Sequence, residues 1–314
     1  MAMKATLDDI LPRKPISLVA MDSFAAFRGG SGSGSTVDLA YIKTQARWHL
    51  ECGVDMVILQ GTTGEWPSLS MAERLDMATA WREVVPYGSP LKLLLHIGHD
   101  ALVEAKRLAE HALALRMDAV LISAPSKYVA HTMSHQADAV VDILSHCGAT
   151  PAFYYHYPEI YGDGFNVHEL LTAITIRAER AGLTDANLVG AKLSIGPEPA
   201  GALVHALSVS GEGWGLGVGL LDPAEFWALP AMRSIIVFSW ECALWRKAID
   251  AFERGDVEAA SAISGRVAAA RKAAHGSLQY VTETANYQIQ AAKVRAVMQL
   301  PAIAVCCLLL YIDC

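Results

Sequence analysis

Positive charge never concentrates in this chain. It holds no run of lysine or arginine and its net charge is −7, so the basic footprint of a nucleic-acid binder is missing. Charged residues are scarce as well, 18% against 53% hydrophobic. That balance excludes a disordered chain and leaves a globular protein with a large core. The six cysteines, Cys52, Cys147, Cys242, Cys306, Cys307 and Cys314, form no CxxC pair and no disulfide rhythm. They read as small buried apolar residues in a reducing, cytoplasmic compartment. Residues 1–15 hold no apolar signal segment, which points the same way. The apolar stretch over 301–314 is too short to span a bilayer. It is expected to form a buried helix or a subunit interface, and no membrane partner is expected.

What the chain does have is one unit repeated. Short apolar runs alternate with amphipathic segments. Strands are expected over 16–21, 55–59, 91–97, 118–123, 151–156, 188–193, 214–221 and 234–239. Helices are expected over 38–52, 70–85, 101–116, 134–146, 167–180, 199–208, 223–232 and 241–254. Gly53 is placed to close the first helix, and Ser70 with Glu73 forms a capping box that opens the second. Residues 24–36, rich in Gly and Ser, read as a flexible loop. Apolar strands alternating with amphipathic helices imply a parallel sheet covered by helices. Eight such units fit an α/β fold, a (β/α)8 TIM barrel. The rival, an open doubly wound sheet, wants a GxGxxG phosphate turn after the first strand, and none is there. The barrel is expected over residues 1–255. Residues 256–314 read as a C-terminal helical extension packed on it, with helices over 256–274 and 286–300.

In such a barrel the chemistry sits at the C-terminal ends of the strands. Lys192 is the single charge in the run from Val189 to Ile195. Strand alternation puts Val189, Ala191, Leu193 and Ile195 on one face and Gly190, Lys192 and Ser194 on the other. Taken alone, Lys192 is either a strand-end cation whose stem reaches water or a buried amine, neutral enough to attack a carbonyl. Gly61-Thr62-Thr63-Gly64-Glu65 closes the second strand. Its N–H groups and hydroxyls suit a carboxylate, or it is an ordinary strand–helix loop capped by threonine. Tyr154-Tyr155-His156-Tyr157-Pro158 offers a tyrosine that can shuttle a proton, with the other tyrosines packing. The late strand ends, Gly219 to Asp222 and Ser239 to Glu241, could meet the distal part of a substrate. His96, His99 and Asp100 straddle a strand end with no third histidine at ligand spacing. They read as capping or packing, and no metal is expected. His131, His135 and His205 read as surface or interface residues.

A strand closing in GTTGE, a later one in YHYP and then GAKLS, within eight repeats, resembles the dihydrodipicolinate synthase / N-acetylneuraminate lyase superfamily of pyruvate-dependent class I aldolases. The resemblance reaches to about Gly255. It implies that Lys192 forms a Schiff base with the keto carbon of pyruvate or a related 2-keto acid. It also implies that Tyr155 relays the proton, that Thr62 and Thr63 hold the substrate carboxylate, and that Thr63 supports the tyrosine hydroxyl. Gly219 and Ser239 fall where the lyase branch lines its substrate pocket. The iminium is the electron sink, so no cofactor is implied. The partners implied are a small 2-keto acid and an aldehyde, in a homo-oligomer, dimer or tetramer.

The departures narrow the substrate. Ile160 stands where the synthase has an arginine for its second substrate, and Lys127 with Tyr128 replaces the synthase's TPYY tyrosine. Both argue against a true dihydrodipicolinate synthase. Leu221 and Asp222 replace an acidic pair that grips the sialic acid chain. Asp22-Ser23-Phe24 replaces a TPF segment, and the spacing from Tyr155 to Lys192 is lengthened near 180–187. A lyase that makes or breaks a carbon–carbon bond is the first expectation. A dehydratase or hydratase-aldolase on a 3-deoxy-2-keto acid is the second, and a non-catalytic barrel that binds a 2-keto acid is the third.

Overall fold

The eight apolar runs form eight parallel strands. The protein is described by a computed structural model over residues 16–21, 27–28, 36–64, 66–125, 132–157, 166–183, 188–193, 216–218 and 234–282. The main strands are β1 (Ser17–Met21), β4 (Met56–Leu59), β5 (Lys92–His96), β6 (Ala119–Ile122), β7 (Ala152–His156), β8 (Leu188–Leu193), β9 (Leu216–Val218) and β10 (Ser234–Phe238). They hydrogen-bond in the order β10-β1-β4-β5-β6-β7-β8-β9, and every pairing is parallel. From β1 to β9 each strand of this sheet thus pairs with the one before it, and β10, the last, pairs with β1. β9 and β10, at the two ends of that order, also approach each other. This is an α/β fold on one curled parallel sheet.

One expected loop carries structure. β2 (Phe27–Arg28) and β3 (Thr36–Val37) pair antiparallel across the Gly/Ser stretch. Two-residue strands are too short to give a periodic signal, so the loop reading missed them.

The helices are α1 (Tyr41–Glu51), α2 (Met71–Val84), α3 (Leu102–Ala114), α4 (Met133–Leu144), α5 (Val167–Arg180), α6 (Cys242–Glu253) and α7 (Val257–Thr282). The helices expected over 199–208, 223–232 and 286–300, and the apolar stretch over 301–314, lie outside the described residues. Gly53 follows α1 at φ 66°, a left-handed turn that only glycine adopts freely. The Ser70 hydroxyl accepts from the Glu73 N–H (3.3 Å), and the Glu73 carboxylate accepts from the Ser70 N–H (2.8 Å). That capping box fixes where α2 begins. α7 packs along α6. Among the described residues no helix is long and apolar enough to cross a membrane.

The sheet divides the core in two. Leu18, Ala20, Val57, Leu59, Leu93, Leu95, Val120 and Ile122 face the helices. Val19, Met21, Met56, Ile58, Leu94, Leu121, Phe153 and Tyr155 form the other layer, inside the curl. On β8 the expected alternation fails at one residue. Val189 belongs to the inner layer, whereas Ala191 and Leu193 belong to the outer one. The register with β7 slips there: Ala152 faces Leu188 and Phe153 faces Gly190. Val189 is the unpaired extra residue of a bulge, and a bulge shifts the side-chain phase by one. Beyond it the pairing is regular and sets Lys192 opposite Tyr155.

Candidate active site

Lys192 lies near the end of β8 and is only 3% exposed. Of the two readings open from the sequence, the buried amine is the one observed. Burial pushes its pKa well below the ordinary lysine value, because an ammonium loses its hydration in an apolar surround. Its Nζ lies 3.5 Å from the centroid of the Tyr155 ring. That face stabilises positive charge on the nitrogen by cation–π attraction. The lowered pKa favours the neutral form of the amine, and a cation on it would meet a favourable surface.

Tyr155 is itself buried, at 2% exposure. Its hydroxyl lies 3.3 Å from the Thr62 hydroxyl. Here the structure corrects an expectation. Thr62, rather than Thr63, reaches the tyrosine, and the Thr63 hydroxyl donates to Met21 Sδ at 3.3 Å. Both threonines remain partly exposed in the loop after β4.

That loop starts with strained backbone. Gln60 adopts φ 54°, a left-handed value uncommon for any residue but glycine, and it is fully buried. Its conformation is held from three sides. Arg74 Nε donates to Gln60 Oε1 (3.1 Å), and Gln60 Nε2 donates to the Arg74 carbonyl (2.7 Å). His96 Nδ1 lies 3.0 Å from the Gln60 carbonyl. Arg74 also donates to the carbonyls of His96 (2.6 Å) and Gly98 (3.0 Å), and its guanidinium lies 5.3 Å from the Trp66 ring.

His96 ends β5, next to Tyr155. Its ring stands edge-on to Tyr155 at 6.1 Å, and its Nε2 is 2.9 Å from the Ser123 hydroxyl. Burial, then the charges of Arg74 and Lys192, hold its pKa well below the usual imidazole value. A carbonyl can only accept, so the neutral ring carries its proton on Nδ1. Nε2 then accepts from the Ser123 hydroxyl. Gly98 is required here: a Cβ on it would meet the Ser123 hydroxyl at 1.8 Å and His96 Nε2 at 2.7 Å.

Sequence reasoning expected Lys192, Tyr155 and Thr63 to stand together, and the structure brings together Lys192, Tyr155 and Thr62 instead. It missed Arg74 and Gln60 and gave His96 only packing. A signal for Arg74 was available. It heads the spacing 74, 77, 78, 81 that α2 buries, which is a core stripe with a cation in it.

Ser239 is buried after β10. Its hydroxyl donates to the Met21 carbonyl and lies 2.8 Å from His49 Nε2. Its carbonyl accepts from the Trp48 indole at 3.0 Å. Glu65, Lys127, Tyr128, His131, Pro158, Ile160, Ser194, His205, Gly219, Leu221 and Asp222 lie outside the described residues, as does the segment Asp22-Ser23-Phe24. Among the described residues no three His, Cys, Asp or Glu side chains gather as a metal site would need.

Residues 25–176 match the model of the Dihydrodipicolinate synthetase family. N-acetylneuraminate lyase of Gallus gallus is 32% identical over 124 residues, 40% of this chain and 40% of that protein. The chain thus spans well under half the length of the curated relatives it matches, and Lys192 lies beyond residues 25–176. N-acetylneuraminate lyase of Aliivibrio salmonicida superposes with a TM-score of 0.68 at 22% identity, over 81% of this chain and 80% of that one. A catalytic-lysine mutant of the Ruminococcus gnavus sialic acid aldolase superposes at 0.66 with 16% identity, over 79% and 76%. At such identities the superpositions speak for the fold alone. The family match covers just under half of the chain, so residues 25–176 are similar to that family, and the superpositions add a shared fold.

Proposed function

We propose that the chain is a class I aldolase-type lyase that acts on pyruvate or a related 2-keto acid, in a (β/α)8 barrel with a helical extension from residue 256. The observation that carries this reading is the buried Lys192 amine over the Tyr155 ring, with the Tyr155 hydroxyl against Thr62. The neutral amine adds to the keto carbon. The carbinolamine loses water, and the C=N bond that forms bears a positive charge next to the tyrosine face. That charge draws electrons from the adjacent methyl, which gives up a proton to become an enamine. The enamine carbon attacks an aldehyde, and water then releases the product and restores the amine; cleavage is the reverse. Tyr155 moves the protons, with Thr62 fixing its hydroxyl. Thr63 and the N–H groups of the same loop take the carboxylate, and Gly219 and Ser239 border the distal part of the substrate. A homo-oligomer and a cytoplasmic location accompany this reading.

The second reading keeps the same Schiff base but eliminates water from a 3-deoxy-2-keto acid. Ile160 and Lys127 argue against a synthase and leave this reading open. Borohydride reduction in the presence of pyruvate, read by intact mass, tests the shared chemistry. One pyruvate-derived adduct per chain is expected. No adduct with pyruvate or with any longer 2-keto acid would leave only a binding barrel.

A further inference from the structure

Gln60 is an odd residue on which to hang a reaction site. Its backbone is in a region that strains a residue other than glycine, so the surroundings must over-determine it. They do. Arg74 grips its side chain, Gln60 returns a bond to the Arg74 carbonyl, and the His96 Nδ1–H holds its carbonyl. Arg74 in turn grips the His96 carbonyl, so the three residues close a circuit between α2, β5 and the loop after β4. Thr62 is two residues past Gln60, and Tyr155 rests edge-on against His96. The parts that present the Tyr155 hydroxyl to Thr62 are therefore both anchored on this circuit.

We propose that Arg74, Gln60 and His96 are positioning residues that act as one unit, and that the His96 Nδ1–H sets Thr62 against the Tyr155 hydroxyl so that proton transfer depends on it while substrate binding does not. This rests on the lyase reading above. None of the three needs to touch substrate. Arg74 suits the task because its planar fork serves three acceptors at fixed angles, which a lysine cannot do. A displacement of about 1 Å at the hydroxyl pair would cost on the order of 100-fold in rate.

Two replacements of His96 separate positioning from packing. In His96→Asn the side-chain amide can stand where Nδ1 stood and still donate to the Gln60 carbonyl. In His96→Gln the amide sits further out, near the place of Nε2, and that donor is lost. Glutamine is nearer to histidine in volume, so a packing role favours it and the positioning role favours asparagine. The assay is exchange of the pyruvate methyl hydrogens in deuterated water, followed by NMR. Borohydride trapping is run alongside on the full chain. His96→Asn is expected to exchange at least ~10-fold faster than His96→Gln, with KM for pyruvate within ~3-fold in both and trapping retained. Arg74→Lys, in case either variant folds poorly, is expected to lose ~10–100-fold in kcat at near-constant KM. A wild type that traps pyruvate, with His96→Gln equal to or faster than His96→Asn, would overturn this proposal alone. So would an Arg74→Lys with wild-type kcat. A wild type that traps nothing would instead retire the lyase reading on which the proposal stands.

Discussion

Replacing Gly98 by alanine perturbs the site by one methyl group. The added Cβ would stand 1.8 Å from the Ser123 hydroxyl, 2.7 Å from His96 Nε2 and 3.0 Å from Ser123 Cβ. None of these is the far end of a long, flexible side chain, so the hydrogen bond between His96 and Ser123 must break. Overpacking a dense core costs about 1–3 kcal/mol. Leaving the imidazole nitrogen without its buried donor adds about 1–3 kcal/mol. The sum, roughly 2–6 kcal/mol, corresponds to a melting temperature lower by roughly 3–9 °C for a chain of this size. Thermal unfolding followed by circular dichroism reads it. The decisive arm is a double-mutant cycle with Ser123→Ala, which removes the atom at 1.8 Å. The double variant should be less destabilised than the sum of the singles by more than about 1 kcal/mol. A Gly98→Ala protein within about 0.5 kcal/mol of wild type, or additive costs in the cycle, would refute the account of this network.

Two further outcomes follow from the same contacts. Tyr155→Phe keeps the ring face over Lys192 and removes only the hydroxyl, so borohydride trapping should persist while methyl exchange falls about 10²–10⁴-fold. Equal loss of both would mean the hydroxyl is needed to form the iminium itself. His49, stacked on Trp81, has its pKa lowered to about 4 by burial. The unfolded chain binds a proton that the folded chain refuses, so stability falls as the pH drops from 6.5 towards 4, by up to about 3 kcal/mol from this residue. Denaturant unfolding across that window should show a flatter slope in His49→Gln, and an unchanged slope would contradict the assignment.

Much of this fold was legible because its signals are long or chemically rare. Eight apolar runs at regular spacing leave few topologies open, and all eight are strands of one parallel sheet. Lys192 stood out as a lone cation in such a run, and its pairing with Tyr155 follows from neighbouring strands. What stayed hidden depends on shifts of one residue. The bulge at Val189 flips one side chain across the sheet, and no pattern of apolar residues announces it. The exchange of Thr63 for Thr62 is of the same kind, because the left-handed turn at Gln60 decides which hydroxyl faces Tyr155. Gly98 drew no attention in the sequence, yet its missing side chain makes room for the hydrogen bond between His96 and Ser123. Arg74 was passed over because a buried guanidinium is identified by its acceptors, and these are the Gln60 amide oxygen and two backbone carbonyls at the end of β5 and just beyond it.

The central claim is that Lys192 is the nucleophile, and peptide mapping of the borohydride-reduced protein tests it most directly. With pyruvate present, the reduced adduct is expected on the peptide that carries Lys192 and nowhere else, and Lys192→Ala should yield none. An adduct on another lysine, or one that survives in Lys192→Ala, would contradict the account.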